Sequence, residues 1–231
     1  AEAIFRTGDD LLASLRGHGR ARALLRVGTL ATLSRNFLLG FLRPVIGRRD
    51  VEVVIRIGSQ AELLRGLESL AFDLVLTTLL PPRERGSRLV VHRLAEMPAS
   101  LVGTPARLGA PAPALETLLA REPLVLPTSE TGLRTAFDAL LARLEIRPAI
   151  AAEVEDMATM RLLARADVGL ALLPPIVVRD ELGRGELVEA HAFAKITETF
   201  WAVELGRRFA SPLVRELVRE VERGASATAA R

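Results

Sequence analysis

The stretch that decides the fold covers residues 23–77 and reads ALLRVGTLATLSRNFLLGFLRPVIGRRDVEVVIRIGSQAELLRGLESLAFDLVLT. Three short apolar runs in it are predicted strands, at residues 23–29, 51–57 and 73–77. Two segments between them carry apolar residues at helical spacing and are predicted helices, at residues 34–46 and 59–70. Ser59, followed three residues later by Glu62, predicts a capping box on the second helix. This alternation of strands and helices indicates the α/β class with a parallel sheet.

The same alternation begins a second round at residues 99–103. The other predicted strands lie at residues 88–94, 123–126, 149–154, 168–173 and 200–205. The other predicted helices lie at residues 115–120, 132–144, 157–165 and 212–223. We expect two similar units, with the last strand and helix returning to the first. Two crossings between them, near residues 94–98 and 197–201, indicate a hinged cleft that binds a small molecule.

The composition is that of an ordinary soluble globular protein, with 49% apolar and 26% charged residues. No apolar run approaches the roughly 18 residues of a membrane span. The N-terminus has no basic segment followed by an apolar core, so the prediction is a cytoplasmic protein that makes no contact with a membrane. The absence of cysteine excludes disulfides, cysteine nucleophiles and thiolate metal sites. A net charge of +3 with dispersed basic residues does not by itself predict DNA binding.

The first 17 residues predict an amphipathic helix, because Ile4, Leu11 and Leu15 fall on one side of it. The helix ends at the break GHGR of residues 17–20. Two interpretations stay open. The segment is either a terminal helix packed on its own domain or the tail of a longer dimerising helix.

Several segments together resemble a known family. They include the turn LPTSETGLR at residues 126–134 and the strand VGLALLP at residues 168–174. The full set that carries the resemblance lies at residues 24–46, 56–77, 122–178, 181–190 and 200–218. In this order and spacing, the segments are similar to the effector-binding (regulatory) domain of LysR-type transcriptional regulators.

The resemblance implies a type 2 periplasmic-binding-protein fold, with two Rossmann-like subdomains and an effector in the hinged cleft between them. It assigns residues 1–20 to the end of a linker helix, residues 21–96 and 200–231 to regulatory subdomain I, and residues 97–199 to regulatory subdomain II. A winged helix-turn-helix preceding this chain would contact the DNA. The resemblance also implies homodimers or homotetramers and no enzymatic activity.

Within that family, the closest pattern is the branch of the sodium/proton antiporter regulator NhaR. The matching residues are Val27-Gly28, Leu33-Ser34-Arg35, 124–127, Gly132-Leu133-Arg134, 153–156 and 204–208. The chain departs from that branch at Thr77-Thr78-Leu79-Leu80-Pro81, where the branch tends to carry an acidic residue.

Candidate effector contacts lie where strands lead into helices, because helix N-termini expose unpaired N–H groups at the carboxyl edge of an α/β sheet. Four such turns supply candidates, namely Thr32, Ser34 and Arg35; Ser59 and Gln60; Thr128 and Ser129; and Glu155 and Asp156. Leu173 is a candidate for an apolar wall of the cleft.

Each candidate has a second interpretation. Ser34, Ser59 and Thr128 are the leading ligand contacts, although a helix cap explains each hydroxyl separately. Arg35 would meet a carboxylate, or would simply be solvated. Glu155 and Asp156 would favour a cationic effector or a metal ion, or would only interact with the helix dipole. Leu173 also fits a packing role.

Catalytic and metal-binding patterns are not found. The histidines His18, His92 and His191 are far apart, and none has a carboxylate at metal-ligand spacing. No Gly-x-Ser-x-Gly elbow or Walker loop occurs, and Gly183-Arg184-Gly185 precedes a strand rather than a helix. The sequence therefore predicts no catalytic residue, no metal and no cofactor.

The predicted function is the sensing of a small-molecule or ion effector by a regulator, in which the effector biases the orientation of the two lobes. Two alternatives remain. One is an extracytoplasmic solute-binding protein of the same fold. The other is a two-lobed enzyme such as a dehydratase or deaminase, which would need an acid/base pair in the cleft.

Overall fold

The structure, a computed structural model, describes residues 22–82, 87–109, 113–206 and 211–229, with the backbone alone for 222–229. The predicted end of a linker helix at residues 1–20 therefore lies outside the described residues.

Eight strands of the described chain form one mixed sheet. They are β1 (Ala23–Thr29), β2 (Val51–Ile57), β3 (Leu74–Thr77), β4 (Leu89–Gly103), β5 (Leu124–Pro127), β6 (Ile150–Val154), β7 (Leu170–Leu173) and β8 (Val188–Leu205). Their order across the sheet is β2-β1-β3-β8-β4-β7-β5-β6. β1 pairs in parallel with β2 and β3, and β5 with β6 and β7. The β3–β8 and β4–β7 pairs are antiparallel, so the sheet is not purely parallel as predicted.

The helices alternate with these strands, as the α/β class requires. They are α1 (Arg35–Leu42), α2 (Gln60–Glu68), α3 (Pro105–Leu108), α4 (Leu115–Arg121), α5 (Gly132–Leu144), α6 (Met157–Arg165), α7 (Arg179–Arg184) and α8 (Pro212–Ala229), with a 3-10 helix at Pro175–Val178. The sequence did not predict α3, the 3-10 helix or α7, which are each six residues or shorter.

Most predicted bounds agree with the structure, and the exceptions have local causes. α1 was predicted to reach residue 46 but ends at Leu42, two residues before Pro44. Proline has no N–H to donate and restricts the residue before it, so the regular helix stops there. The predicted short strands at residues 88–94 and 200–205 are parts of much longer strands, β4 and β8.

The contacts divide the chain into two compact units. Within the described residues, unit 1 consists of residues 22–30, 40–82, 87–94, 201–206 and 211–229, and unit 2 of residues 31–39, 95–109 and 113–200. β4 and β8 each contribute residues to both units, and so does α1. Unit 1 receives the last strand, because Val203 of β8 pairs with Val75 of β3.

Interior strands explain why the sequence shows short continuous apolar runs. β3, β5 and β7 are each four residues long and buried at every position. Strands covered on both faces read as unbroken apolar segments, whereas the edge strand β2 is largely exposed. No helix in the described ranges is both long enough and apolar enough to cross a membrane.

Gly169, just before β7, allows a close approach between two backbone segments. A Cβ at this position would lie 2.4 Å from the carbonyl oxygen of Pro123, which cannot move without disturbing β5. We expect Gly169→Ala to destabilise the domain by about 1–3 kcal/mol, a fall in Tm of roughly 2–10 °C. Gly183→Ala is the matched control, because nothing lies within 4 Å of its Cβ position. Equal melting temperatures for the two variants in calorimetry would contradict the steric argument.

Candidate functional site

The turn between β5 and α5 carries two predicted effector contacts, Thr128 and Ser129. The cap of α5 is Thr131, whose Oγ1 accepts a hydrogen bond from the N–H of Arg134 at 3.2 Å and donates one to the carbonyl of Thr128 at 3.1 Å. The cap interpretation of Thr128 is therefore wrong. The hydroxyls of Thr128 and Ser129 have no partner among the described residues, so both keep their capacity to bind a ligand.

Arg134 fixes the position of this turn. Its largely buried guanidinium donates to the carbonyl of Pro127 at 3.0 Å, to Asp138 at 2.9 Å and to Glu153 at 3.0 Å. Burial acts to lower the pKa of Arg134, but the bonds to Asp138 and Glu153 outweigh it and raise that pKa. Because charge-assisted bonds reach both β5 and β6, the backbone that carries Thr128 is held firmly.

Asp156 is the N-cap of α6. Its carboxylate accepts hydrogen bonds from the N–H of Ala158 at 3.2 Å and from the N–H and Oγ1 of Thr159 at 3.0 and 2.9 Å. Partial burial acts to raise the pKa of Asp156, but these bonds and the nearby Arg35 bring it below its usual value. This geometry favours the helix-dipole interpretation of Asp156. Glu155 is exposed and has no partner in the described chain.

The residues that lead into α1 belong to unit 2. Thr32 is half-buried, and Ser34 is fully buried with its Oγ accepting a hydrogen bond from the N–H of Phe37 at 3.3 Å. Arg35 Nη2 lies 3.6 Å from Asp156 Oδ1, an ion pair too long for a hydrogen bond. Arg35 Nη1 is buried and has no hydrogen-bond partner. Unused guanidinium donors suit the recognition of a carboxylate.

Two contacts hold the start of α1 within unit 2. The Asn36 side chain donates to the carbonyl of Ile176 in the 3-10 helix at 2.9 Å. The rings of Phe37 and Phe200 stack with centroids 4.0 Å apart and planes 19° apart. These contacts position the two residues that directly follow Arg35.

Glu198 of β8 is a notable residue that the sequence analysis missed. It is only 5% exposed, and its Oε2 is buried without a hydrogen-bond partner. Burial raises the pKa of Glu198 to about 8. It shares one buried face of β8 with Ile196 and Phe200. The sequence does carry a signal, because Glu198 alternates with the apolar residues Ile196 and Phe200 at the two-residue spacing of one strand face. That signal was missed because residues 188–199 were not predicted as a strand.

Ser59 and Gln60 lie in unit 1, at the start of α2. The predicted capping box is confirmed. Ser59 Oγ accepts a hydrogen bond from the N–H of Glu62 at 3.4 Å, and Glu62 Oε2 accepts one from the N–H of Ser59 at 2.9 Å. The Ser59 N–H and the Ser59 hydroxyl, which donates to Glu62 Oε2 at 2.7 Å, together lower the pKa of Glu62, with the backbone bond contributing most. Gln60 Nε2 donates to the carbonyl of Leu79 at 3.4 Å.

Leu173 is fully buried and packs in the apolar core of unit 2, which favours the packing interpretation. The described ranges contain no group of three or more histidine, aspartate, glutamate or cysteine side chains placed to hold a metal ion.

The sequence profile described as "LysR substrate binding domain" matches residues 18–226. The chain belongs to the LysR substrate-binding domain family. This LysR domain therefore has the type 2 periplasmic-binding-protein-like fold, here with a single eight-stranded sheet. The family consists of regulatory domains of transcription regulators, which are not enzymes. Comparison with curated protein sequences gives no match.

Solved structures share the fold of this LysR domain. The regulatory domain of HypT from Salmonella typhimurium, in its apo form, is 16% identical with a TM-score of 0.68, covering 91% of this chain and 99% of that one. The effector-binding domain of QuiR in complex with shikimate is 18% identical with a TM-score of 0.62, covering 87% and 95%. HinK, a LysR family transcriptional regulator from Pseudomonas aeruginosa, is 22% identical with a TM-score of 0.66, covering 96% and 79%.

The two hydroxyls of the β5–α5 turn should respond differently to mutation. Thr131→Ala removes the cap of α5 and is expected to cost about 1 kcal/mol in the free energy of unfolding. Thr128→Ala, three residues away, removes no hydrogen bond of its side chain and should change stability by less than about 0.5 kcal/mol. Urea denaturation of both variants measures the difference. Equal losses would mean that Thr131 is not the cap.

Glu198 should make the stability of the domain depend on pH. Its folded-state pKa of about 8 lies above the ordinary glutamate value of 4.5, so the protonated form is favoured by folding. The resulting contribution is complete below the unfolded pKa and is lost as the pH rises through about 8. We expect the Tm of the wild type, relative to Glu198→Gln, to fall by about 5 °C or more between about pH 6 and pH 9.

Glu155→Gln is the control for that measurement, because Glu155 is an exposed glutamate of the same unit. It should keep the wild-type pH profile. If Glu198→Gln and the wild type melt in parallel over the whole range, Glu198 does not titrate there.

Proposed function

We propose that this LysR domain senses a small-molecule effector bound between regulatory subdomain I, residues 21–96 and 200–231, and regulatory subdomain II, residues 97–199. The observation that carries the proposal is the family match over residues 18–226. In the proposed full-length protein, a preceding winged helix-turn-helix contacts promoter DNA, and the effector controls that engagement. The regulator acts in the cytoplasm as a homodimer or homotetramer.

The proposed mechanism uses β4 and β8, which each contribute residues to both units. An effector that binds one orientation of the subdomains better than another shifts the population toward the orientation that it prefers. The size of that shift is limited by the difference between the effector's affinities for the two orientations. Arg35 belongs to residues 31–39, a segment of unit 2. Its neighbours Asn36 and Phe37 contact other parts of that unit, so a ligand bound at Arg35 would act directly on unit 2.

We infer that the effector is a small organic acid. Arg35 supports this choice, because its Nη1 is buried without a partner and its ion pair with Asp156 is loose at 3.6 Å. The hydroxyls of Thr128 and Ser129 have no partner in the described chain and would complete the site, with Thr32 and Ser34 beside Arg35. The QuiR domain has been solved with shikimate, which supports a small-molecule ligand for this chain as well.

The remaining candidate residues would make additional contacts with the effector. Ser59 and Gln60 would contribute from unit 1, Glu155 would interact with a cationic group, and Leu173 would line an apolar wall. Membership of the antiporter-regulator branch is also proposed, from the matching residues named in the sequence. That branch would favour an ion as effector.

A thermal-shift screen against organic acids, amino acids, amines and simple cations tests the proposal. The true effector should raise the Tm with concentration, following preferential binding to the folded state. Arg35→Gln should weaken an acidic effector about tenfold or more, because it removes a charge-assisted contact. Arg49→Gln, an exposed arginine of unit 1, is the matched control and should bind as the wild type does.

Each result has a defined meaning. An acid that loses affinity in Arg35→Gln and Thr128→Ala supports the site. If only cations raise the Tm, and Glu155→Gln abolishes that rise, the effector is an ion and not an organic acid. An effector whose affinity is unchanged in all three variants would contradict the proposed contacts. Failure of the full-length regulator to change its operator binding with a confirmed ligand would contradict the sensing function.

A further inference from the structure

A groove of about 570 Å³ lies on unit 2, and none of the predicted effector contacts lines it. Its lining comes from α4, α5 and β8, namely Leu115, Ala136, Ala139, Leu140, Arg143 and residues 191–196. The volume falls in the range of small-molecule sites, which is about 300–1,000 Å³.

The floor of the groove is apolar and well supported. Phe193 is 5% exposed and packs edge to face against Phe137 of α5, with ring centroids 5.7 Å apart. It also contacts the ring of His191 at a centroid distance of 4.8 Å. Leu140 and Ile196 complete the apolar surface. Because Phe193 is held from two sides, this surface is fixed before any ligand arrives.

The charges of the groove all have one sign. Arg143 and Lys195 are both exposed, and neither has an ion pair or hydrogen-bond partner within the described residues. No acidic side chain in the described part of the chain lines the groove. Lys195 is also the only lysine in the 231-residue sequence. Apart from the histidines, all other basic side chains are arginines.

We propose that this groove is a second ligand site, which binds an organic acid with an apolar body through Arg143 and Lys195. The carboxylate lies against the two free cations, and the hydrocarbon part covers Leu140, Phe193 and Ile196. Charge complementarity selects the acid over an amine or a neutral molecule of the same size. The groove and the proposed effector site share no residue.

Octanoate is a suitable probe, with octan-1-ol and octylamine as neutral and cationic probes of the same chain length. Titration calorimetry should show one octanoate bound per groove, and affinities about tenfold or more weaker for octan-1-ol and octylamine. The double variant Arg143→Gln/Lys195→Gln should lose about tenfold or more of the octanoate affinity, because it removes both cations. The matched control is Arg49→Gln/Arg219→Gln, which removes two exposed charges from unit 1 and should bind octanoate as the wild type does.

The single lysine provides a direct readout of position. Acetylation with an amine-reactive ester, followed by mass spectrometry of the peptide that contains Lys195, reports whether this side chain is covered. Octanoate should slow labelling of Lys195 and leave labelling of the N-terminal amine unchanged. Arg35→Gln should not alter this protection, which separates the groove from the proposed effector site.

Three results would overturn the proposal. The first is equal octanoate affinity in the wild type and in Arg143→Gln/Lys195→Gln, and the second is labelling of Lys195 that octanoate does not slow. The third is a pair of observations: the wild type binds no octanoate, and the oligomer that it forms is lost in sedimentation of Arg143→Gln/Lys195→Gln. That outcome would assign the groove to a second copy of the chain.

Discussion

The pairing of two long strands with the rest of the sheet is the constraint on which this structure depends. β4 and β8 lie side by side in the sheet and each contribute residues to both units. β3 pairs with β8 in unit 1, and β7 pairs with β4 in unit 2. The three parallel strands of each unit are thereby attached to a strand that also belongs to the other. Parallel strands need covered faces, and the helices of each unit supply that cover.

Several polar groups in unit 2 fix backbone near the carboxyl ends of strands. Arg134 bonds the last residue of β5, Thr131 caps α5, and Asp156 caps α6. These bonds satisfy donors and acceptors that helix ends would otherwise leave unpaired. Other polar groups of the described residues keep unused hydrogen-bonding capacity. Arg35 Nη1, Glu198 Oε2 and the hydroxyls of Thr128 and Ser129 are among them. Ligand recognition requires groups of this kind, because a group already satisfied gains little from a ligand.

Glu198 and Lys195 lie only three residues apart in β8 yet have opposite environments. Glu198 is buried without a partner, and burial raises its pKa, whereas Lys195 is exposed at an apolar groove. Along residues 195–200 of β8, the side chains at 196, 198 and 200 are buried and those at 195, 197 and 199 are more exposed, in the two-residue period of a strand. One long strand thus presents a titratable group to the interior of unit 2 and a cation to its surface.

The sequence by itself determined the α/β class, the family resemblance, most helix bounds and the capping box of Ser59 and Glu62. These are local properties: apolar periodicity reports which face of an element is buried, and a cap depends on residues three apart. Only the tertiary structure decided that Thr131 rather than Thr128 caps α5, that the predicted short strands are parts of β4 and β8, and that Glu198 is buried. It also brought Arg35 to Asp156, 121 positions later in the chain, and left one guanidinium nitrogen unpaired. Such outcomes depend on which distant segments pack together, and the free energy that selects them is spread over contacts that no local pattern records.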